Sequence, residues 1–466
     1  MTTLILGQFL LASADQPPLS DAGVAVTGAE IADAGHNTDL LQKYAGAEIV
    51  DRRDCVLAPG FVNTHHHMYG VLAHGIPLRR APAGFWPFLE DFWWPLVEDA
   101  LTHEMIAAAT DWACFEMASN GITSFYDCLE APNAIPGALN VEAAIVEKWG
   151  LRGFLSFEAT ERQNPANGQA GLRENAEFIR RQCRGKAFGT KVSPSGRALP
   201  PNALPLQALQ QPLVQGMMCF HTTFTCSRDF VQQAFALARE LGVKVHMHLS
   251  EGTYEPEYCL QTYGKRTVEV YDDWRLLGPD VLASQCVQVS PREIDLLAQA
   301  GVNVSHMPLS NCEVGGGFAP VPEMLAQCIT VGLGTDGYVN DFFEVMRAAF
   351  LIHKARLQDP TIMPASIVWK MATEDGGRAL GLEKVGRLEP GWAADLIAIR
   401  ADLPTPPAPH NLFDQLLLWR NAGHVSDVMA AGRWLKRDGQ VLGADGQAIR
   451  ARCQEAARRL WERADG

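Results

Sequence analysis

The chain has 466 residues, enough for one large α/β domain plus a smaller one, and its 47% hydrophobic against 20% charged residues exclude a disordered chain. A net charge of −14 argues against a nucleic-acid backbone as partner, and no apolar run is long enough to span a bilayer, so no membrane partner is expected. The N-terminal MTTLILGQFLLASADQ lacks a basic n-region and an A-x-A-type site, and eleven scattered cysteines form no CxxC pair, which fits a reduced cytoplasmic protein without a signal peptide.

Residues 1–56 read as short strands (TLILGQFLLA, VAVTGAEIADAG, AEIVDRRDCVLA). The run VLAPGFV then forms a buried strand that delivers His65-His66-His67 at its C-terminal end. From about 57 to 384, strand-like and helical runs alternate, the pattern of a parallel α/β domain. Thr102 caps a helix over 103–120 that ends at Gly121. Residues 184–213, rich in Pro, Gly, Ser and Gln, read as an irregular excursion. A helix from Ser227 to Leu241 stops at Gly242, and the strand VKVHMHLS follows. Ser290-Pro291-Arg292-Glu293 is a capping box with proline at the first helical position, and Gly301 closes that helix. The strand VNVSHMP, a Gly-rich loop at 314–317, a helix and the strand ITVGLGTDG come next. After about 385 the pattern returns to β, and 447–463 reads as a charged amphipathic helix.

Side chains alternate along a strand, so His65 and His67 share a face and can reach one metal ion, with His66 pointing away. His246 and His248 likewise share a face, and His248 lies nearer the C-terminal end, where α/β barrels keep their active sites. His246 reads as a hydrogen-bonded partner behind the site. Glu251, three residues past His248, can face a metal-bound water and move protons. Asp336 ends its strand, and Gly332 and Gly334 on the same face clear space below the carboxylate. Three imidazoles and one carboxylate satisfy Zn²⁺, and Fe²⁺ or Mn²⁺ would also fit. The match of GLGTDG to G-x-G-x-x-G is discounted, because the following helix leads into another helical run rather than a strand. EVGGGF has no P-loop lysine and reads as a tight loop. Phe85, Trp86, Phe88, Phe92, Trp93 and Trp94 form either core or a wall that stacks a flat ring.

The order His65-x-His67, His248-x-x-Glu251 and Asp336 within GLGTDG, flanked by PGFVNTH and GRLEPGWAADL, closely resembles the amidohydrolase superfamily in its branch of metal-dependent deaminases and triazine hydrolases. FLEDFWWPLVEDAL, GLRENAEFI, CFHTTFTCS and GLGTDGYVNDFFEVMRAAFLIHK are similar to aminohydrolases of the SsnA type. The resemblance implies a (β/α)8 TIM-like barrel over 57–384 and a small β-sandwich built from 1–56 plus 385–466. It implies one divalent metal ion, zinc first, held by His65, His67, His248 and Asp336. Glu251 would be the proton shuttle as a metal-activated water, assisted by Asp336, displaces ammonia from a purine-, pterin- or triazine-like ring. A homo-oligomer is expected.

One position departs from the family pattern. In Ala283-Ser284-Gln285-Cys286-Val287-Gln288, Gln285 stands where the family has a histidine that contacts the attacking water. An amide donates and accepts hydrogen bonds but takes up no proton near neutral pH. The enzyme is then slow or inactive, or Gln285 recognises a substrate group, or the reaction displaces a better leaving group. Hydrolysis of another C–N or a C–Cl bond, and a degenerate barrel that only binds metal and ligand, are the alternatives to deamination. Tyr69, His74, His221, His306 and Asn311 are candidate substrate contacts at the barrel mouth.

Overall fold

A computed structural model describes residues 2–78, 80–182, 212–337 and 340–464. The expected excursion at 184–213 falls almost wholly outside these residues. Eight parallel strands follow one another around a barrel. They are β1 (Phe61–His66), β2 (Ile122–Leu129), β3 (Arg152–Phe157), β4 in two pieces (Val214–Gly216 and Met218–Phe220), β5 (Val245–Leu249), β6 (Val281–Gln285), β7 (Asn303–His306) and β8 (Val331–Leu333). Neighbours pair in chain order, and Leu333 of β8 pairs with Asn63 of β1, which closes the ring. Every residue of β2, β3 and β5 is buried, as parallel strands covered on both faces require.

Three helices between strands start and stop where the sequence places them. His103–Asn120 begins after Thr102, whose hydroxyl accepts the Met105 N–H, and ends at Gly121 in the left-handed region at φ 95°. Arg228–Leu241 is capped by Ser227, and Pro291–Ala300 carries the capping box of Ser290 and Glu293. Two short helices, Asn37–Lys43 and Pro308–Glu313, lack a sequence signal of this kind. Neither is long enough to show apolar periodicity.

A second sheet takes strands from both chain ends. Leu396–Arg400 runs antiparallel to Glu48–Pro59, which lies parallel to Thr2–Leu10. Val425–Ala430 and Arg433–Arg437 extend one side, Ala22–Thr27 and Glu30–His36 the other. Arg52 donates two hydrogen bonds, each 2.7 Å, to the fully buried Asp427 carboxylate across the seam between the two ends. Glu48–Pro59 passes through Gly60 directly into β1, so this sheet holds the start of the strand that carries His65.

The two glycines below Asp336 do something other than clear space. A Cβ on Gly332 would lie 2.4 Å from Thr64 Cγ2, and one on Gly334 would lie 2.9 Å from His65 Cβ. Their missing side chains let β8 press against β1, and that contact brings Asp336 beside the histidines. No helix among the described residues is long and apolar enough to cross a membrane.

Candidate metal centre and active site

Strand alternation puts His65 and His67 on the inner side of β1 and sends His66 toward Thr335 and the Asp336 carbonyl. Each inner imidazole is held through one nitrogen. His67 Nδ1 lies 2.6 Å from the Cys128 carbonyl, so it carries the proton and Nε2 is bare. His65 Nδ1 lies 3.0 Å from His246 Nε2, and His246 Nδ1 lies 3.3 Å from Cys219 Sγ. His246 therefore stands behind the site and orients His65, as its strand position suggests. His248 Nδ1 lies 2.7 Å from Glu158 Oε1, which leaves its Nε2 facing inward.

The free nitrogens converge. His67 Nε2 and His248 Nε2 are 3.3 Å apart, and Asp336 Oδ1 is 3.4 Å from both His65 Nε2 and His67 Nε2. The ligand atoms of His65, His67 and His248 all fall within 4.8 Å of one another. His65 Nε2 is buried with no hydrogen-bond partner. Bare nitrogens turned toward each other and toward a carboxylate oxygen make a donor set that fits a divalent cation. Burial keeps the imidazoles neutral and lowers His67 and His248 to about 4. Burial alone would raise Asp336, but His65, His67 and His248 hold it well below the usual carboxylate range.

Gln285 does not stand apart from this cluster. Its Nε2 donates to Asp336 Oδ2 at 2.9 Å, and Ser310 Oγ donates to the same oxygen at 2.8 Å. Asn311 Nδ2 in turn donates to Gln285 Oε1. Gln285, Cys286 and Asp336 have φ of 74°, 50° and 57°, and Ser250 has 49°. Side chains rarely adopt such backbone, and here it occurs at the C-terminal ends of β5, β6 and β8, where the chain must turn sharply out of the barrel.

These groups form the floor of a cavity of about 540 Å³. His67, His248, Asp336, Gln285 and the half-buried Glu251 line it, and so do His74 and His221. Burial, with Asp336, Glu158 and Glu255 nearby, raises Glu251 well above the usual carboxylate range. Phe85, Phe88, Phe92, Trp93 and Trp94 form its wall, so the aromatic run serves the cavity as well as the core. Trp86 turns away and stacks on Tyr254 at 4.2 Å between ring centroids.

Three expected substrate contacts sit elsewhere. His306 is fully buried with its Nε2 3.3 Å from His353 Nε2 on the helix Phe342–Leu357. It faces out of the barrel because Ser305, next to it on β7, faces in and bonds Thr64. Tyr69 is buried, and its hydroxyl donates to Glu98. Asn311 reaches the cavity only through Gln285.

Sequence reasoning missed Glu98, Glu158 and Arg162. Glu98 and Glu158 line the cavity, and Arg162 pairs with Glu98, Asp99 and Glu130. Glu158 lies one residue past β3, and the rule that applied to Glu251 would have found it. Glu98 opens the one-turn helix Glu98–Ala100 and Arg162 lies on a bend, and neither place carries such a signal.

A profile of the Amidohydrolase family matches residues 56–435. The chain is 33% identical over 451 residues to a 5'-deoxyadenosine deaminase of Methanosarcina mazei, covering 95% of this chain and 96% of the relative. It is 32% identical to a 5-methylthioadenosine/S-adenosylhomocysteine deaminase of Desulforudis audaxviator, covering 94% and 95%. An adenosine deaminase from Xanthomonas campestris with bound zinc superposes with a TM-score of 0.84 at 26% identity over 98% of each chain. A triazine hydrolase from Arthrobacter aurescens shares the fold with a TM-score of 0.81 at 21% identity, over 98% of this chain and 99% of that one.

Proposed function

Since the chain belongs to the amidohydrolase family and is a hydrolase acting on C–N bonds, we propose that it deaminates a small amino-substituted N-heterocycle, with adenosine derivatives as first candidates. The convergence of His65, His67 and His248 on the Asp336 carboxylate at the floor of an aromatic cavity carries this reading. These four side chains would hold one metal ion, zinc in the first instance. When bound, the metal supplies Lewis-acid activation of a water molecule as nucleophile.

The protein's own groups divide the remaining work. Glu251, kept protonated by burial and by its acidic neighbours, gives its proton to the ring nitrogen next to the reacting carbon and takes one back from the attacking water. The remaining proton of the added hydroxyl then passes to the amino group, the C–N bond breaks with its electron pair on nitrogen, ammonia leaves, and the carbon keeps the oxygen as a carbonyl. Asp336 Oδ2 already accepts hydrogen bonds from Gln285 and Ser310, which makes it a poor base. Proton traffic therefore falls on Glu251, and Gln285 serves by fixing the carboxylate. The aromatic wall stacks the flat ring.

A second reading, hydrolysis of a ring C–Cl bond, is favoured by the one feature that sets this site apart. Gln285 cannot carry a proton, and chloride, unlike ammonia, leaves without taking one.

The test is release of ammonia and of chloride by zinc-loaded protein. The panel is adenosine, 5'-deoxyadenosine, 5'-methylthioadenosine, amino-triazines and chloro-triazines. Ammonia from an adenosine derivative is expected. Zinc-loaded protein that releases no ammonia from any ring removes the deaminase reading, and chloride release in its place establishes the second.

We assign catalysis to 57–384, support of β1 to 1–56 plus 385–466, and residence to the cytoplasm as a homo-oligomer. The described cysteines are all unpaired, which supports a reducing compartment.

A further inference from the structure

The charged amphipathic helix Gly446–Ala464 supplies no residue to the floor or the wall of the cavity. Ile449, Cys453, Ala456 and Leu460 are buried along one stripe, at the spacing of a helix face. Arg452 reaches Asp111 at 2.6 Å and Arg459 reaches Glu104 at 3.1 Å, so the stripe is seated on the helix His103–Asn120.

That seat decides what the far end of the helix meets. Trp461 Nε1 donates to the Leu72 carbonyl at 2.7 Å, and Arg463 Nη1 donates to the Ala100 carbonyl at 2.7 Å. The two acceptors occupy the same kind of place. Leu72 lies near the end of the turn Met68–Ala73, and Ala100 ends the one-turn helix Glu98–Ala100. The last carbonyls of a turn find no partner within it. Both residues are buried, so a lost donor is not simply replaced by water.

Each turn borders the cavity. Ala73, His74, Gly75 and Ile76 line it directly after Leu72, and Glu98 lines it two residues before Ala100. The indole also lies against Gly75, where the chain takes φ 88° and an added Cβ would meet Trp461 Cη2 at 3.5 Å. One helix thus holds two segments that approach the cavity from different parts of the chain.

We propose that Trp461 and Arg463 are positioning residues for substrate binding. Through the Leu72 and Ala100 carbonyls they hold the loop after β1 and the end of the aromatic segment at the spacing the ring needs. The effect on substrate rests on the deaminase reading of the cavity; the hold on the two segments does not depend on it.

Zinc-loaded wild type is compared with Trp461→Phe, which keeps a ring beside Gly75 and removes the N–H, and with Arg463→Met, which keeps a stem and removes the donors. Hydrogen exchange read by mass spectrometry follows peptides covering 68–76 and 97–102. Ammonia release gives kcat and KM on the panel ring that the wild type deaminates fastest. Losing one donor to a buried carbonyl is worth roughly a factor of ten in local opening. Trp461→Phe is expected to speed exchange of 68–76 about tenfold, and Arg463→Met that of 97–102 by about as much. Each is expected to raise KM about tenfold while kcat stays within about twofold, since neither touches the metal ligands or Glu251. Arg459→Gln, which breaks the exposed pairs with Glu104 and Glu455 on the same helix, is expected to move neither readout.

Unchanged exchange at both segments overturns the positioning role. So does an unmoved KM beside a lowered melting temperature, or an equal rise in KM from Arg459→Gln, because either marks the helix as support for the fold at large. Faster exchange at both segments with a raised KM upholds it. A wild type that deaminates no ring of the panel removes the deaminase reading, and exchange at the two segments then decides by itself whether Trp461 and Arg463 hold them.

Discussion

Glu251 and His246 lie on one short stretch of chain and do opposite things. Glu251 lines the cavity and is not one of the converging ligand groups, so Glu251→Gln is expected to retain the metal while kcat falls by about 10²–10⁴-fold. Zinc content measured alongside ammonia release checks both halves. His246 faces the back of His65 and touches no cavity surface. Its removal frees the His65 ring and strands the Cys219 thiol, so His246→Ala is expected to weaken metal binding by about 10–100-fold, read by competition with a chelator. Gln285 is the residue whose role the structure changes most. It reads from the sequence as a lost acid or base, and it proves to be the donor that steadies Asp336 Oδ2. A hydrogen bond to a charged group is worth about 1.5–3 kcal/mol. Gln285→Ala is therefore expected to lower kcat/KM by roughly 10–100-fold, and Gln285→Asn, too short to reach, is expected to do no better.

Among the elements, the strands that meet between the chain ends have the clearest energetic consequence. Asp427 on Val425–Ala430 is fully buried, and burial alone would raise its pKa. The Arg52 guanidinium and the Ser426 hydroxyl outweigh that and hold it below the usual value. A carboxylate with a depressed folded pKa stabilises the fold fully above the unfolded value of about 3.9, and that contribution is lost as the pH falls through the lower folded value. Asp427→Ala leaves Arg52 with the exposed Asp438 as its one remaining carboxylate, beside the Asp51 carbonyl, and is expected to cost about 3–5 kcal/mol near neutral pH. Denaturant midpoints should show the gap between wild type and variant closing only below about pH 4. The helix stops and capping boxes of the barrel were legible because a cap depends on a few adjacent residues, as at Thr102 and Ser290. The short helix Pro308–Glu313, which carries Ser310 and Asn311 to the site, was not. It is held by the barrel it packs on rather than by its own pattern.

For the molecule as a whole, the metal is expected to stabilise the fold as well as activate water. The floor residues come from β1, β5 and β8 and the segments after them, so an ion between them ties together distant parts of the barrel. Chelator-treated protein should lose ammonia release and melt about 5 °C lower, with both restored by zinc, as mass action requires when a ligand binds only the folded state. A melting temperature unmoved by chelation would mean that the four side chains hold no ion.

The helix limits at Thr102, Ser227 and Ser290 and the candidacy of His65, His67, His248, Glu251 and Asp336 were legible in the linear chain, since alternation, caps and strand ends are local rules that each residue obeys wherever the fold sends it. What the linear chain could not decide was which of its remaining polar groups would meet. Glu98 and Arg162 reach the site's surroundings from a one-turn helix and a bend, His306 faces away, and Gln285 finds Asp336 across 51 positions of sequence. Those meetings depend on barrel closure and on the packing of β8 against β1, which exist only once the whole chain has folded.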